Sequence, residues 1–210
     1  MVDSVVVDTR ALNSLARSNP ANMAEGLNLL LRSGYDIYVP QQVVDEILRA
    51  GGAISQAQLT WIDENRALDR VKSPPAGFTF VGDPLKSQVG DEAVKQLTQY
   101  INNHGGSATF LTDDVRLFNG VNNLSDSAAL RQGYKQKPFA GTPEFLNEML
   151  VKNQITETEF RSARDAISAQ PNYSGRFVQE FLSDESIAKI PSGGLGNVRL
   201  RGGIVGGLLG

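Results

Sequence analysis

The chain has 210 residues, a net charge of −3, 40% hydrophobic and 20% charged residues, one histidine and no cysteine. These values suit one large domain, or one domain with an appendage. They exclude disulfides, thiolate metal sites and multi-histidine zinc centres, and no overall positive field advertises a nucleic-acid ligand.

Val5-Val6-Val7 is a β-branched run suited to a buried parallel strand. Helical sequence follows from Ala11 to about Ser18 and, past Asn19-Pro20, from about Ala21 to Ser33, with Gly34 as its stop. Asp36 to Val39 reads as the second strand, and Gln41 to Ala50 as a helix stopped by Gly51-Gly52. Residues 51–89 are the least regular part. Ile54 to Leu68 has helical character, Ser73 to Gly77 is a loop, and Phe78 to Val81 has the composition of a short strand. A helix is expected over Asp91–Asn102, a strand over Ala108–Thr112, a helix over Leu124–Gln132 and an edge strand over Tyr134–Phe139. Thr142-Pro143 reads as an N-cap and first-turn proline opening a helix to about Lys152.

Thr156 and Glu159 have capping-box spacing, with Phe160, Ala163 and Ile167 following at helical intervals, and a further helix is expected over Arg176–Lys189. The last 20 residues contain eight glycines and read as a flexible tail. Alternating strands and helices indicate an α/β fold with a central parallel sheet flanked by helices. No run of 18 apolar residues reads as a membrane span, and Met1-Val2-Asp3-Ser4 does not open a secretory signal, so cytoplasmic action is expected.

Four carboxylates carry the chemical signal. Asp8 ends the first strand, and Asp113-Asp114 follow the strand that ends at Thr112. The carboxyl edge of a parallel sheet is where ligands bind. On a helix stepping about 100° per residue, Val43, Val44, Ile47 and Leu48 define a buried stripe with Glu46 at its edge, while Asp45 faces away. In the next helix Val94, Leu97 and Ile101 form the stripe, and Asp91 lies off its edge in the first turn. Acids gathered in one place repel one another, and a fold keeps such a group mainly to hold hard divalent cations. Ordinary surface acids would give the same list, since the chain has 23 Asp and Glu residues and each element is short.

Taken in order, Val5-Val6-Val7-Asp8-Thr9, Val43-Val44-Asp45-Glu46-Ile47, Gly90-Asp91-Glu92-Ala93-Val94 and Phe110-Leu111-Thr112-Asp113-Asp114 resemble the successive motifs of PIN-domain nucleases. Gly141-Thr142-Pro143-Glu144-Phe145-Leu146 is similar to the entry into that family's last helix. The resemblance covers roughly residues 4–150. It implies a PIN-like three-layer fold over residues 1–153, followed by a helical extension packed on it over 154–190 and the glycine-rich tail over 191–210. It also implies a Mg²⁺- or Mn²⁺-dependent endoribonuclease, with Asp8, Glu46, Asp91 and Asp114 as metal ligands and catalytic residues. Thr112 supplies the hydroxyl of the last motif, and Asp114 rather than Asp113 takes the ligand position. RNA is then the substrate, with Arg10 and Thr112 beside it. The setting implied is a bacterial toxin, with a protein antitoxin or immunity protein as partner, no membrane, and room for a homodimer. The longer centre over residues 51–89 and the C-terminal additions depart from compact toxins of that family. Two other readings stand beside it: a catalytically idle PIN-like module that binds RNA or a protein, and a phosphohydrolase of another α/β family. The latter is weakened by the lack of Asp-x-Asp after the first strand and of a nucleophile elbow.

His104, before two glycines, reads as an exposed or capping residue. Arg17, Arg49 and Lys95 lie near the acids, and Arg116, Arg131, Lys135 and Lys137 form a second basic stretch, for which solvated surface charge is the simpler reading. Tyr38, Phe110 and Phe118 read as core.

Overall fold

The computed structural model describes residues 3–83 and 88–170. The helix expected over Arg176–Lys189 and the glycine-rich tail lie outside these residues. In chain order the elements are β1 (Ser4–Val7), α1 (Thr9–Ser18), α2 (Met23–Arg32), β2 (Asp36–Tyr38), α3 (Gln41–Ala50), α4 (Gly52–Ala67), β3 (Val71–Lys72), α5 (Val89–Asn103), β4 (Ala108–Thr112), α6 (Val115–Asn122), α7 (Asp126–Arg131), β5 (Phe139–Ala140), α8 (Gly141–Val151) and α9 (Glu157–Ser168). The five strands form one parallel sheet in the order β3-β2-β1-β4-β5.

This order reverses direction at β1. The chain first builds outward through β2 and β3, then returns to place β4 on the other side of β1. Every residue of β1 and β4 is buried, as strands covered on both faces require. On one side α1 packs with α2, α4, α8 and α9, while α5 packs on β1 and β4 and against α3. The α1–α2 crossing depends on Gly26, where a Cβ would run into the Leu15 carbonyl oxygen and lie 2.9 Å from Ser18 Oγ. The α9 helix opens with the expected capping box and buries Phe160, Ala163 and Ile167.

Several expectations need correction. The third strand is Val71–Lys72, not Phe78–Val81. Val71 is buried beside Ile37 of β2, whereas Phe78 packs edge-on to Tyr100 and Val81 is exposed. The edge strand shrinks to Phe139–Ala140, the two residues that pair with Leu111 and Thr112 of β4, while Lys135 and Lys137 turn their amines onto the carbonyls of Gly106 and of Asn122 and Leu124. Thr142 does not cap α8. The helix begins two residues earlier than expected, at Gly141 with Ala140 at the N-cap, and the Thr142 amide and hydroxyl both donate to Asp113, each at 2.7 Å. Leu48 is 65% exposed, so the buried stripe of α3 narrows to Val43 and Ile47, with Val44 partly covered. Residues 115–122, to which the sequence reading assigns no element, form α6.

Candidate active site

The strand order places its switch point between β1 and β4, and Asp8 and Asp114 stand at that carboxyl edge. A crevice outside the strand ends at such a point is where open α/β sheets bind ligands. Both residues do the same local work. Each follows a buried strand, keeps extended backbone angles, and caps the helix that begins next, which is why aspartate suits the position. Asp8 accepts from the Arg10 amide at 3.3 Å, and Asp114 Oδ1 accepts from the amides of Arg116 and Leu117 at 2.7 and 3.3 Å. The register pairs Val7 with Leu111, which brings Thr112 across from Asp8. The Thr112 hydroxyl donates to Asp8 Oδ2 at 2.8 Å and accepts from the Asp114 amide at 2.9 Å, tying the two strand ends together.

Glu46 and Asp91 complete the group from α3 and α5, which pack against each other. Glu46 accepts from the Thr9 hydroxyl and from the Gly90 amide, both at 2.9 Å. A Cβ on residue 90 would come within 2.6 Å of Glu46 Cδ, so a larger residue there would push the Glu46 carboxylate from its place.

The electrostatics show how these acids bear on one another. Asp8 is 2% exposed, and burial, followed by the charge of Asp91, pushes its carboxyl up to about 7. The hydrogen bond from Thr112 opposes that shift without cancelling it. Asp91 is raised to about 6 by burial and then by the charges of Asp114 and Glu46, against the pull of Arg10 and Lys95. The other three acids are thus within electrostatic reach of Asp91. Asp113 is spent on Thr142, so Asp114 is the acid of that pair that turns toward the group.

Positive charge is already present. Arg10, with its side chain 60% exposed, reaches Asp114 Oδ2 at 3.1 Å, and Arg116 stands 3.8 Å from Asp114 Oδ1. Among the described residues no three Asp, Glu or His groups are drawn together closely enough to form a ready shell for a metal ion. The donor set is nevertheless suited to a hard cation. It consists of carboxylate oxygens, two of them held above their ordinary pKa by burial and mutual repulsion. Coordination would require the acids to draw closer and Arg10 to yield its place beside Asp114.

Thr9 and Gly90 are site residues to which the motifs themselves assign no role. The signal available was the Gly90-Asp91 pair at the start of a helix. His104, Phe110, Phe118 and Tyr38 serve the fold. His104 ends α5, stacks on Tyr100 with ring centroids 3.9 Å apart, and places Nδ1 2.8 Å from the Tyr100 carbonyl oxygen. Phe110 and Phe118 are buried, and Tyr38 is half-buried. No helix among the described residues is long and apolar enough to cross a membrane. No family model matches the chain, and comparisons with curated proteins and with solved structures find no match either.

Proposed function

We propose that the protein is a Mg²⁺- or Mn²⁺-dependent endoribonuclease of PIN-domain type that hydrolyses RNA phosphodiester bonds. One observation carries the chemistry: Asp8 and Asp114 cap helices at adjacent strand ends on either side of the sheet's switch point, with Asp91 and Glu46 facing them from α5 and α3. RNA as substrate, the toxin setting and a masking antitoxin or immunity protein rest on the motif resemblance alone. Asp8, Glu46, Asp91 and Asp114 would hold the cation, which supplies Lewis acidity toward a phosphate oxygen and acidity to a water molecule. The protein's own part is positioning. Thr112 fixes the rotamer of Asp8, Gly90 and Thr9 fix Glu46, and Arg10 is long and exposed enough to exchange Asp114 for a substrate phosphate.

The second reading is an idle PIN-like module that binds RNA or a protein, and a specific observation favours it: Arg10 already neutralises Asp114, and no ready metal shell is formed among the described residues. Incubating single-stranded RNA and DNA with the protein in Mg²⁺, in Mn²⁺ and in EDTA separates the two. The nuclease reading expects metal-dependent cutting of RNA that EDTA stops. RNA binding without cutting in any metal supports the idle module.

A further inference from the structure

Next to the acids lies a polar pocket of about 270 Å³, which shares Asp91 with them and continues along α5 and α6. Its walls are mixed. Leu117 and Val121 give an apolar side, Gln88 and Gln132 bring amide groups, and the Arg116 guanidinium lies across one flank. Its cations are not free to attract a bare anion. Lys95 is 2.6 Å from Glu92, and Arg116 is shared between Asp114 and Gln88, whose amide oxygen, turned toward it, accepts at 3.0 and 3.1 Å. With Asp91 and Glu92 also in the lining, a free phosphate would meet at least as much negative charge as positive.

Tyr134 supplies the second observation. It is 1% exposed, its ring packs edge-on to Phe110, and its side chain lines the pocket. Its hydroxyl makes no hydrogen bond among the described residues. Burial and the charge of Glu92 hold its pKa above the ordinary value, so it remains a donor at any working pH. A donor that has no protein acceptor and stands at a pocket wall is available to a ligand.

We propose that this pocket receives the base of the nucleotide next to the scissile phosphate, with the Tyr134 hydroxyl and the Gln88 and Gln132 amides reading its edge and Arg116 stacking on its face. The assignment deepens the nuclease reading and rests on it for the position of the phosphate. Single-stranded RNA is recognised in this way, by hydrogen bonds to base edges and by stacking on guanidinium planes. A flat base is smaller than the ligands that fill larger apolar clefts, in keeping with the modest volume.

Two substitutions test it, neither among the acids. Tyr134→Phe keeps the ring and removes the hydroxyl. Gly120→Leu narrows the pocket from α6, where a Cβ meets nothing within 4 Å and leucine is the better helix former. The four ribonucleoside 5′-monophosphates are titrated against the wild type and both variants by NMR, and cut sites are mapped on randomised single-stranded RNA. The wild type is expected to favour one base beside the cut and to bind the matching nucleotide with shifts at residues 117–121. Both variants are expected to melt no lower than the wild type, to bind that nucleotide roughly five- to tenfold more weakly, and to lose the base preference while still cutting. Variants that retain both binding and preference, or the absence of nucleotide binding at residues 117–121, overturn the pocket assignment even if RNA is cut. Nucleotide binding that the variants weaken, in a wild type that cuts no RNA, overturns the nuclease reading and leaves the base pocket standing.

Discussion

The two ends of α1 treat negative charge in opposite ways. Beyond its C-terminus, where α2 and α9 meet, Glu159 accepts from Arg32 at 2.7 Å and from the Thr156 amide and hydroxyl at 2.7 and 2.8 Å. The Arg32 bond comes first among the causes that pull its carboxyl down to about 2. At its N-terminus, burial and then the charge of Asp91 push Asp8 up to about 7, and burial and then the charges of Asp114 and Glu46 push Asp91 up to about 6. A carboxylate satisfied by partners holds a fold together, whereas acids left crowded are maintained at a cost, and such sites are where function concentrates.

The largest expected effect comes from Asp8→Asn. Asparagine can still accept from Thr112 and from the Arg10 amide, so the architecture survives while one charge leaves the cluster. RNA cleavage is expected to fall at least about a hundredfold, in line with losing a metal ligand or its support. Stability at pH 8 is expected to rise, on the order of 1–3 kcal/mol. The sign follows from linkage. A carboxyl whose folded pKa lies above its unfolded value of 3.8 costs stability at pH above about 7, and that cost vanishes as pH falls below 3.8. Melting the wild type and the variant side by side at pH 8 and pH 4 should therefore show a gap at the higher pH only.

Gly90→Ala comes next. Its Cβ would force Glu46 out of the hydrogen bond it accepts from the residue 90 amide. A loss of about 1–3 kcal/mol is expected, together with a drop in cleavage. Unchanged melting and activity would show that Glu46 has room to move and that its placement is incidental.

The wild type's own pH profile should divide along the same line. From pH 4 to 7, Asp8 and Asp91 bind more protons folded than unfolded, so their contribution falls as pH rises. Glu159 is depressed, so its contribution is present above its unfolded value of 4.5 and is lost as pH falls toward 2. Asp8→Asn should flatten the first slope and Glu159→Gln the second, each leaving the other in place.

The smallest effect is expected from Arg32→Ala. The partners are partly exposed, so the change should cost less than about 1 kcal/mol and leave cleavage untouched. A large loss of activity would mean that the two ends of α1 are coupled rather than separate.

How much of this was legible in the sequence depended on the length of each signal. Val5–Val7, Gln41–Ala50 and Ala108–Thr112 carry enough periodic residues to reveal their elements, and the acids at their ends could be read from position. Two-residue strands such as Val71–Lys72 and Phe139–Ala140 carry no period and are defined by the neighbour they pair with. Asp113 and Asp114 are adjacent and chemically alike, and only the fold shows that Thr142 claims the first. Gly90 looked like part of a motif, but its reason is the Glu46 carboxylate, 44 residues earlier in the chain. The pocket beside Asp91 brings together residues from α5, α6 and the segment before β5, with no spacing that announces it.

The central claim, that the crowded acids are a cation site, is tested most directly by titrating Mn²⁺ into the wild type and Asp8→Asn at about pH 6.5 in buffers of different ionisation enthalpy. At that pH Asp8 is partly protonated, with its pKa at about 7, so ligation must expel protons. The account predicts saturable binding of one or two ions by the wild type with proton release, and at least about tenfold weaker binding with less release by the variant. No saturable binding by the wild type, or equal binding and equal proton release by the two proteins, would contradict it.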